Sequence, residues 1–200
     1  MIDRERAASS DATAAGDLPP ALGGCIDALG RTLQLLERID DAGFVAPGVD
    51  GGTVGAHLRH CIEYFRCFLT ERETGLVEYD ARARDPELER SRALAGHAIR
   101  AIVEEIRNRR EDDLDREVTI LQSLVPGAVP ERIRSSARRE WMALADHTIH
   151  HIAIITQLLA AGSGPGEAVE VASRLGVAFS TQAHRDELGE PAVPGNAPTP

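Results

Sequence analysis

Apolar residues recur at threes and fours between Ala21 and Asp41, through Leu22, Ile26, Leu29, Leu33, Leu36 and Ile39, which is the spacing of one face of an amphipathic helix ended by Gly43. After the turn-rich stretch APGVDGG, Thr53 is placed to cap a second helix, whose apolar face runs through Val54, Leu58, Cys61, Phe65 and Phe68. His57, His60, Tyr64 and Cys67 line up on an adjoining stripe of that helix. The segment GLVEYDARARDPELE mixes both charges and reads as a loop. From Pro86 the pattern Leu88, Leu94, Ala98, Ile102, Ile106 predicts a third helix with the proline near its first turn. The period then changes. Between Asp115 and Ser135, REVTILQS and AVPERIRS flank a Pro-Gly pair and predict a β-hairpin. Ser135 or Ser136 followed by Glu140 resembles a helix start, and a fourth, longest helix carries Leu144, Ile149, Ile152, Ile155, Leu158 and Leu159 as far as the break at Gly162 to Gly166. A short fifth helix is expected around Glu167 to Leu175.

Residues 1–18 lack periodicity and are expected to form a disordered leader, with Asp17 before Leu18-Pro19-Pro20 as the entry to the first helix. Residues 181–200 end in a Pro/Gly-rich tail, expected to be disordered from Gly189 onward, which leaves 19–180 as one helical domain. No apolar run of about 18 residues occurs, nor an apolar segment behind a basic start, so a soluble cytoplasmic protein is expected, with no membrane partner. The formal charge of −10, with basic residues dispersed among acidic ones, argues against nucleic acid as a partner. All 22 basic residues are arginine, which removes lysine Schiff-base chemistry from consideration. Cys25, Cys61 and Cys67 have no CxxC spacing and read as buried free thiols, outside any disulfide framework.

Candidate chemistry lies in the histidines. In the run Asp146-His147-Thr148-Ile149-His150-His151, His147 and His151 stand one turn apart on one helix face, where two imidazoles can grip one ion. His150 is rotated away. Taken alone, HxxxH is a weak motif; a second pair, His57 and His60, on another helix facing the same interior supplies a third ligand, because bundle cores are where facing helices assemble metal sites.

Around these histidines, TVGAHLRH (Thr53 to His60) followed by CIEYF, and REWMALADHTIHH (Arg139 to His151), resemble the two histidine-bearing helices of the DinB-like superfamily. The likeness spans roughly residues 20 to 180 and includes the loop residues Tyr79, Asp80, Arg82, Arg84 and Asp85 and the late segment LGVAFST (Leu175 to Thr181). It implies an all-α fold, a four-helix bundle with the small β-hairpin inserted before the last bundle helix. It also implies a divalent-metal site with one ligand from the second helix and two from the H-x-x-H-H run, at positions matched here by His60, His147 and His151. Members of that superfamily include thiol-dependent transferases and the amino-terminal domains of ergothioneine-forming enzymes.

Three neutral imidazoles with an open coordination position can lower the pKa of bound water to about 7 or polarise a carbonyl. Zinc or nickel suits such ligands best, with iron and manganese also open. The functional readings are therefore a metal-dependent enzyme acting on a small molecule, by hydrolysis or by transfer of a low-molecular-weight thiol; a noncatalytic metal- or ligand-binding bundle; or a structural bundle, as monomer or homodimer, with a vestigial site. His57 can replace His60 as ligand, orient it, or relay a proton. Glu63, three positions after His60, is a candidate base but reads better as a solvated side chain, and Asp146 points away from His147. Arg82, Arg84 and Arg139 can form an anion-binding fork, or join Asp80, Asp85 and Glu89 in a salt-bridge network that pins the loop; the second is preferred. His150 reads as a buried or interface histidine, and His97 and His184 as exposed ones. A catalytic Cys67 would show a lowered thiol pKa.

Overall fold

The computed structural model describes residues 18–48, 51–163 and 174–187. Four helices make the body: α1 (Pro20–Arg38), α3 (Val54–Glu71), α5 (Arg92–Arg107) and α6 (Ala137–Ser163). Two short helices, α2 (Asp41–Val45) and α4 (Pro86–Arg90), lie between them, and α7 (Phe179–Glu187) follows. Both α1 and α3 pack on α5 and on α6, so the core runs down the axis of a four-helix bundle. The apolar positions named by the periodicity fill it: Leu22, Leu29, Leu36 and Ile39, then Leu58, Phe65 and Phe68, then Ile102 and Ile106, then Ile149, Ile152 and Ile155 are all buried. Residues 1–17 of the predicted leader, residues 167–173 of the expected fifth helix and the tail from 188 lie outside the described residues.

Helix starts follow the local chemistry. Pro20 opens α1, where its missing N–H costs nothing. Thr53 Oγ1 accepts the Ala56 N–H at 2.9 Å and caps α3 as expected. Ser136 Oγ accepts the Arg139 N–H at 3.3 Å, while the amides of Ala137 and Arg138 donate to Arg116 and Leu114 carbonyls, so the amino end of α6 is tied to the start of the hairpin.

Three boundaries differ from the expectation. The first helix stops at Arg38, and Gly43 lies inside α2, capped by Asp40 Oδ1 on the Gly43 N–H at 2.7 Å. The Pro86 segment is two helices, because Ser91 takes an extended conformation and caps α5 through the Leu94 N–H. Part of the charged loop is a strand, β1 (Leu76–Glu78), which pairs parallel to β2 (Glu117–Gln122), with Leu76 opposite Thr119. The hairpin itself is present: β2 pairs antiparallel to β3 (Glu131–Ser136), with Glu117 opposite Ser136 and Gln122 opposite Glu131. The sheet therefore has three strands, in the order β1-β2-β3. One face of it is buried through Val77, Val118 and Ile120, and the segment between β2 and β3 leaves Leu124, Val125 and Val129 exposed.

Arg31 ties the C-terminal segment to the bundle. Its guanidinium donates to the Leu175 and Val177 carbonyls and to Gln182 Oε1, and it stacks 4.7 Å from the Phe179 ring centre. At the other end of α3, Gly55 faces α4 so closely that an added Cβ would lie 2.0 Å from the Glu89 carbonyl oxygen. Gly55→Ala must push α4 away from the core. A loss of about 1–3 kcal/mol in unfolding free energy is expected in urea titration, the usual cost of overpacking; a neutral substitution would show that α4 is free to move.

Candidate metal centre

The long α6 carries His147 and His151 one turn apart, and α3 presents His60 toward them across the bundle interior. Each residue offers one nitrogen, and these atoms all lie within 4.8 Å of one another, a group that could hold a metal ion. Ring centres are 5.0 Å apart for His60–His147, 4.8 Å for His60–His151 and 4.5 Å for His147–His151. All three residues are half-buried.

Burial disfavours the imidazolium form. His60 is lowered to about 4, by desolvation first and then by the neighbouring His147 and Arg82. His151 is lowered to about 3 by desolvation, His147 and His60, and His147 is lowered by desolvation with smaller effects of His150 and Arg82. The three rings are therefore neutral at pH 7, with lone pairs to offer. His147 Nε2 is buried and has no hydrogen-bond partner. Leaving such an atom unpaired costs about 1–3 kcal/mol, and a coordinated ion satisfies it; the donor set fits a divalent metal.

His57 is not part of this group. Its Nδ1 lies 3.0 Å from His151 Nδ1, with the rings tilted at 44°. One of the two nitrogens must carry the proton; when His151 carries it, its Nε2 is the nitrogen available to an ion and His57 fixes the tautomer. Of the roles left open for His57, the geometry matches an orienting one, directed at His151 instead of His60.

Tyr64, one turn after His60, packs between partners on both sides. It stacks on His147 at 4.8 Å and on Tyr79 at 4.9 Å, and the Arg82 guanidinium sits 5.0 Å from its ring centre. These contacts brace the His147 ring from the side of the loop. Glu63 is buried, at 3% exposure, contrary to the solvated reading. It accepts the Asp85 N–H and faces Arg82 at 3.9 Å, so it is an anchor for the loop after β1. No ion pair among the described residues joins two of Asp80, Arg82, Arg84, Asp85, Glu89 and Arg139, and the expected network is absent. The loop is pinned instead by Glu63, by Arg82 on the Tyr79 carbonyl, by Arg84 on the Asp80 carbonyl and by Asp80 on the Ser123 N–H. Such a loop, with Arg84 in the left-handed region at φ 55°, has carbonyls to satisfy before charges, which is why backbone contacts prevail.

His150 is exposed, since its position on α6 turns it from the bundle, and His97 and His184 are exposed as expected. Cys67 is pushed up to about 12, chiefly by burial, and its thiol donates to the Glu78 carbonyl; it is a core group without thiolate character.

Beside His147 a cavity of about 610 Å³ opens between the hairpin and the first half of α6. Its walls include Tyr64, Tyr79, Ile120, Ile133, Leu144 and His147. Glu140, 2% exposed, also lines it and accepts the Tyr79 hydroxyl at 3.0 Å and the Ser135 hydroxyl at 2.6 Å. Burial and Glu140 together raise the Tyr79 pKa, so the phenol stays protonated. In the sequence Glu140 stands out only as a helix-start marker. Its place seven residues before His147, two turns along the same face, is the signal that puts both on one wall.

The family model of the DinB superfamily matches residues 27–155, which takes in α3, the hairpin and the three histidines of α6. The chain belongs to the DinB superfamily. No curated protein and no solved structure matches it. The DinB match covers the bundle and therefore agrees with the fold described above. Among the described residues, no helix is long and apolar enough to cross a membrane.

Proposed function

We propose that this DinB-superfamily protein is a divalent-metal-dependent enzyme that acts on a small molecule in the cavity beside His147, by hydrolysis or by transfer of a low-molecular-weight thiol. The observation that carries the reading is the conjunction of three neutral imidazoles within ligand distance of one another, an unpartnered buried nitrogen on His147, and a cavity lined by that same residue. His60, His147 and His151 would hold the ion, zinc or nickel by the softness of imidazole. When bound, the ion supplies Lewis acidity in a site of low dielectric constant.

The chain's own residues do the rest. His57 orients His151 through the 3.0 Å contact, and the Tyr79–Tyr64–His147 stack holds the His147 ring against the cavity wall. Ile120, Ile133 and Leu144 keep water from the body of a bound molecule. Glu140, the acidic side chain among the cavity-lining residues, accepts from Tyr79 and Ser135 and so fixes those two hydroxyls in the cavity wall.

The test is the metal content of untagged protein by mass spectrometry, followed by substrate screening of the loaded form. About one equivalent of zinc or nickel is expected per chain, and its removal by a chelator should abolish any turnover found and lower the melting temperature, because the ion binds the folded state. Protein that carries no ion and takes none up when zinc and nickel are supplied would sink the enzyme reading in favour of a structural bundle.

A further inference from the structure

The cavity between the hairpin and α6 has a charge pattern that a metal site alone does not require. Its walls mix apolar and polar side chains, with Ile120 and Ile133 paired across β2 and β3 on the sheet side. Glu140 is fully engaged: it accepts the two hydroxyls of Tyr79 and Ser135 and a 3.0 Å contact from Arg139 Nη1. Arg139 is 70% exposed, and the described residues offer its remaining guanidinium nitrogens no acceptor. Arg134, also on the cavity wall, is 3.9 Å from Glu117 with both side chains almost fully exposed, a contact worth little in water. Two guanidinium groups whose donors are not spent inside the fold thus line the same cavity as His147. An anionic occupant would be drawn by both guanidinium groups, and a cationic one would be repelled.

We propose that this cavity binds a small organic acid, with its carboxylate on Arg139 and Arg134, its apolar body between Ile120, Ile133 and Tyr64, and its far end toward His147. A planar guanidinium presents paired N–H donors that match the two oxygens of a carboxylate, which gives orientation as well as attraction. As a statement about the substrate this rests on the enzyme reading above; as a statement about binding it needs no metal.

The experiment titrates ¹⁵N-labelled full-length protein with 3-phenylpropionate and with its neutral amide, once loaded with zinc and once after EDTA, and follows backbone amide shifts. The acid is expected to shift the amides from Ser135 to Ala143 in both preparations and to bind about tenfold more tightly than the amide, one charge-assisted pair's worth of discrimination. Arg139→Gln should erase the difference between acid and amide, and Arg139→Lys should restore part of it; the exposed position of Arg139 lets both variants fold, which the dispersion of their spectra verifies. Equal binding of acid and amide, shifts that map elsewhere, no binding, or discrimination that survives Arg139→Gln each overturns the proposal. Acid binding that vanishes with EDTA places the carboxylate on the ion and also overturns it. Discrimination by protein that takes up no metal supports the proposal while the enzyme reading fails.

Discussion

Alanine at His60, His147 or His151 is expected to remove the proposed ion from the purified protein, whereas alanine at His57 is expected to leave about one equivalent bound with an affinity lowered about 10–100-fold, the usual effect of losing a ligand's hydrogen-bond partner. The contrast follows from the geometry: three nitrogens lie within ligand distance of one another, and His57 contacts that group at His151 Nδ1. With two imidazoles left, competition from water and chelators wins, so the loss in the first set is expected to be complete in a competition titration with a chromophoric chelator. Retention of full affinity in His60→Ala, with loss in His57→Ala, would move the site to the other histidine of α3. Acid sharpens the test. His60 and His151 are lowered to about 4 and about 3, so in the folded protein protons compete with the ion only well below the ordinary histidine range. The sign for stability is the reverse of a paired histidine. In the metal-free protein the unfolded chain takes up protons from about pH 6.5 downward while the folded rings do not, so stability is full above that pH and falls as pH drops toward 4.

Those histidines were legible in the sequence because two of them share one helix and their spacing is local. His147 and His151 are set by the 3.6-residue period, and the structure brings His60 to them because α3 and α6 pack through faces that the apolar pattern also names. The helices, the hairpin and the capping by Thr53 were readable for the same reason. What escaped was non-local. β1 is three residues long, too short to show a period, and exists because β2 offers it an edge far along the chain. Glu63 looked like a surface carboxylate in its own helix, and only the return of the loop at Asp85 gives it a buried partner. Helix α7 was not anticipated; its anchor is Arg31, 144 to 151 residues away from the groups it binds. The cavity is the clearest case. Tyr79, Glu140 and Ser135 come from a turn, a helix and a strand, and no spacing rule relates them.

Trp141→Ala is expected to cost about 3–5 kcal/mol of unfolding free energy, the largest stability effect of any single substitution at the centre of the bundle. Trp141 is fully buried, packs edge-on against Phe68 at 4.9 Å and lies 6.4 Å from Phe65, so it joins α6 to α3. Alanine leaves a space that the surrounding helices, held at one end by the hairpin and at the other by the Arg31 clasp, can only partly close. Trp141→Phe is expected to cost far less, about 1–2 kcal/mol. The indole Nε1 is buried with no hydrogen-bond partner, so losing it removes an unsatisfied donor that offsets part of the lost packing. The Cys25 thiol, which donates to the Trp141 backbone carbonyl at 3.0 Å, is untouched by either change. Guanidinium unfolding of the two variants separates these contributions. If phenylalanine costs as much as alanine, the indole N–H has a partner in solution, and the joint between α3 and α6 is polar where its packing says it is apolar.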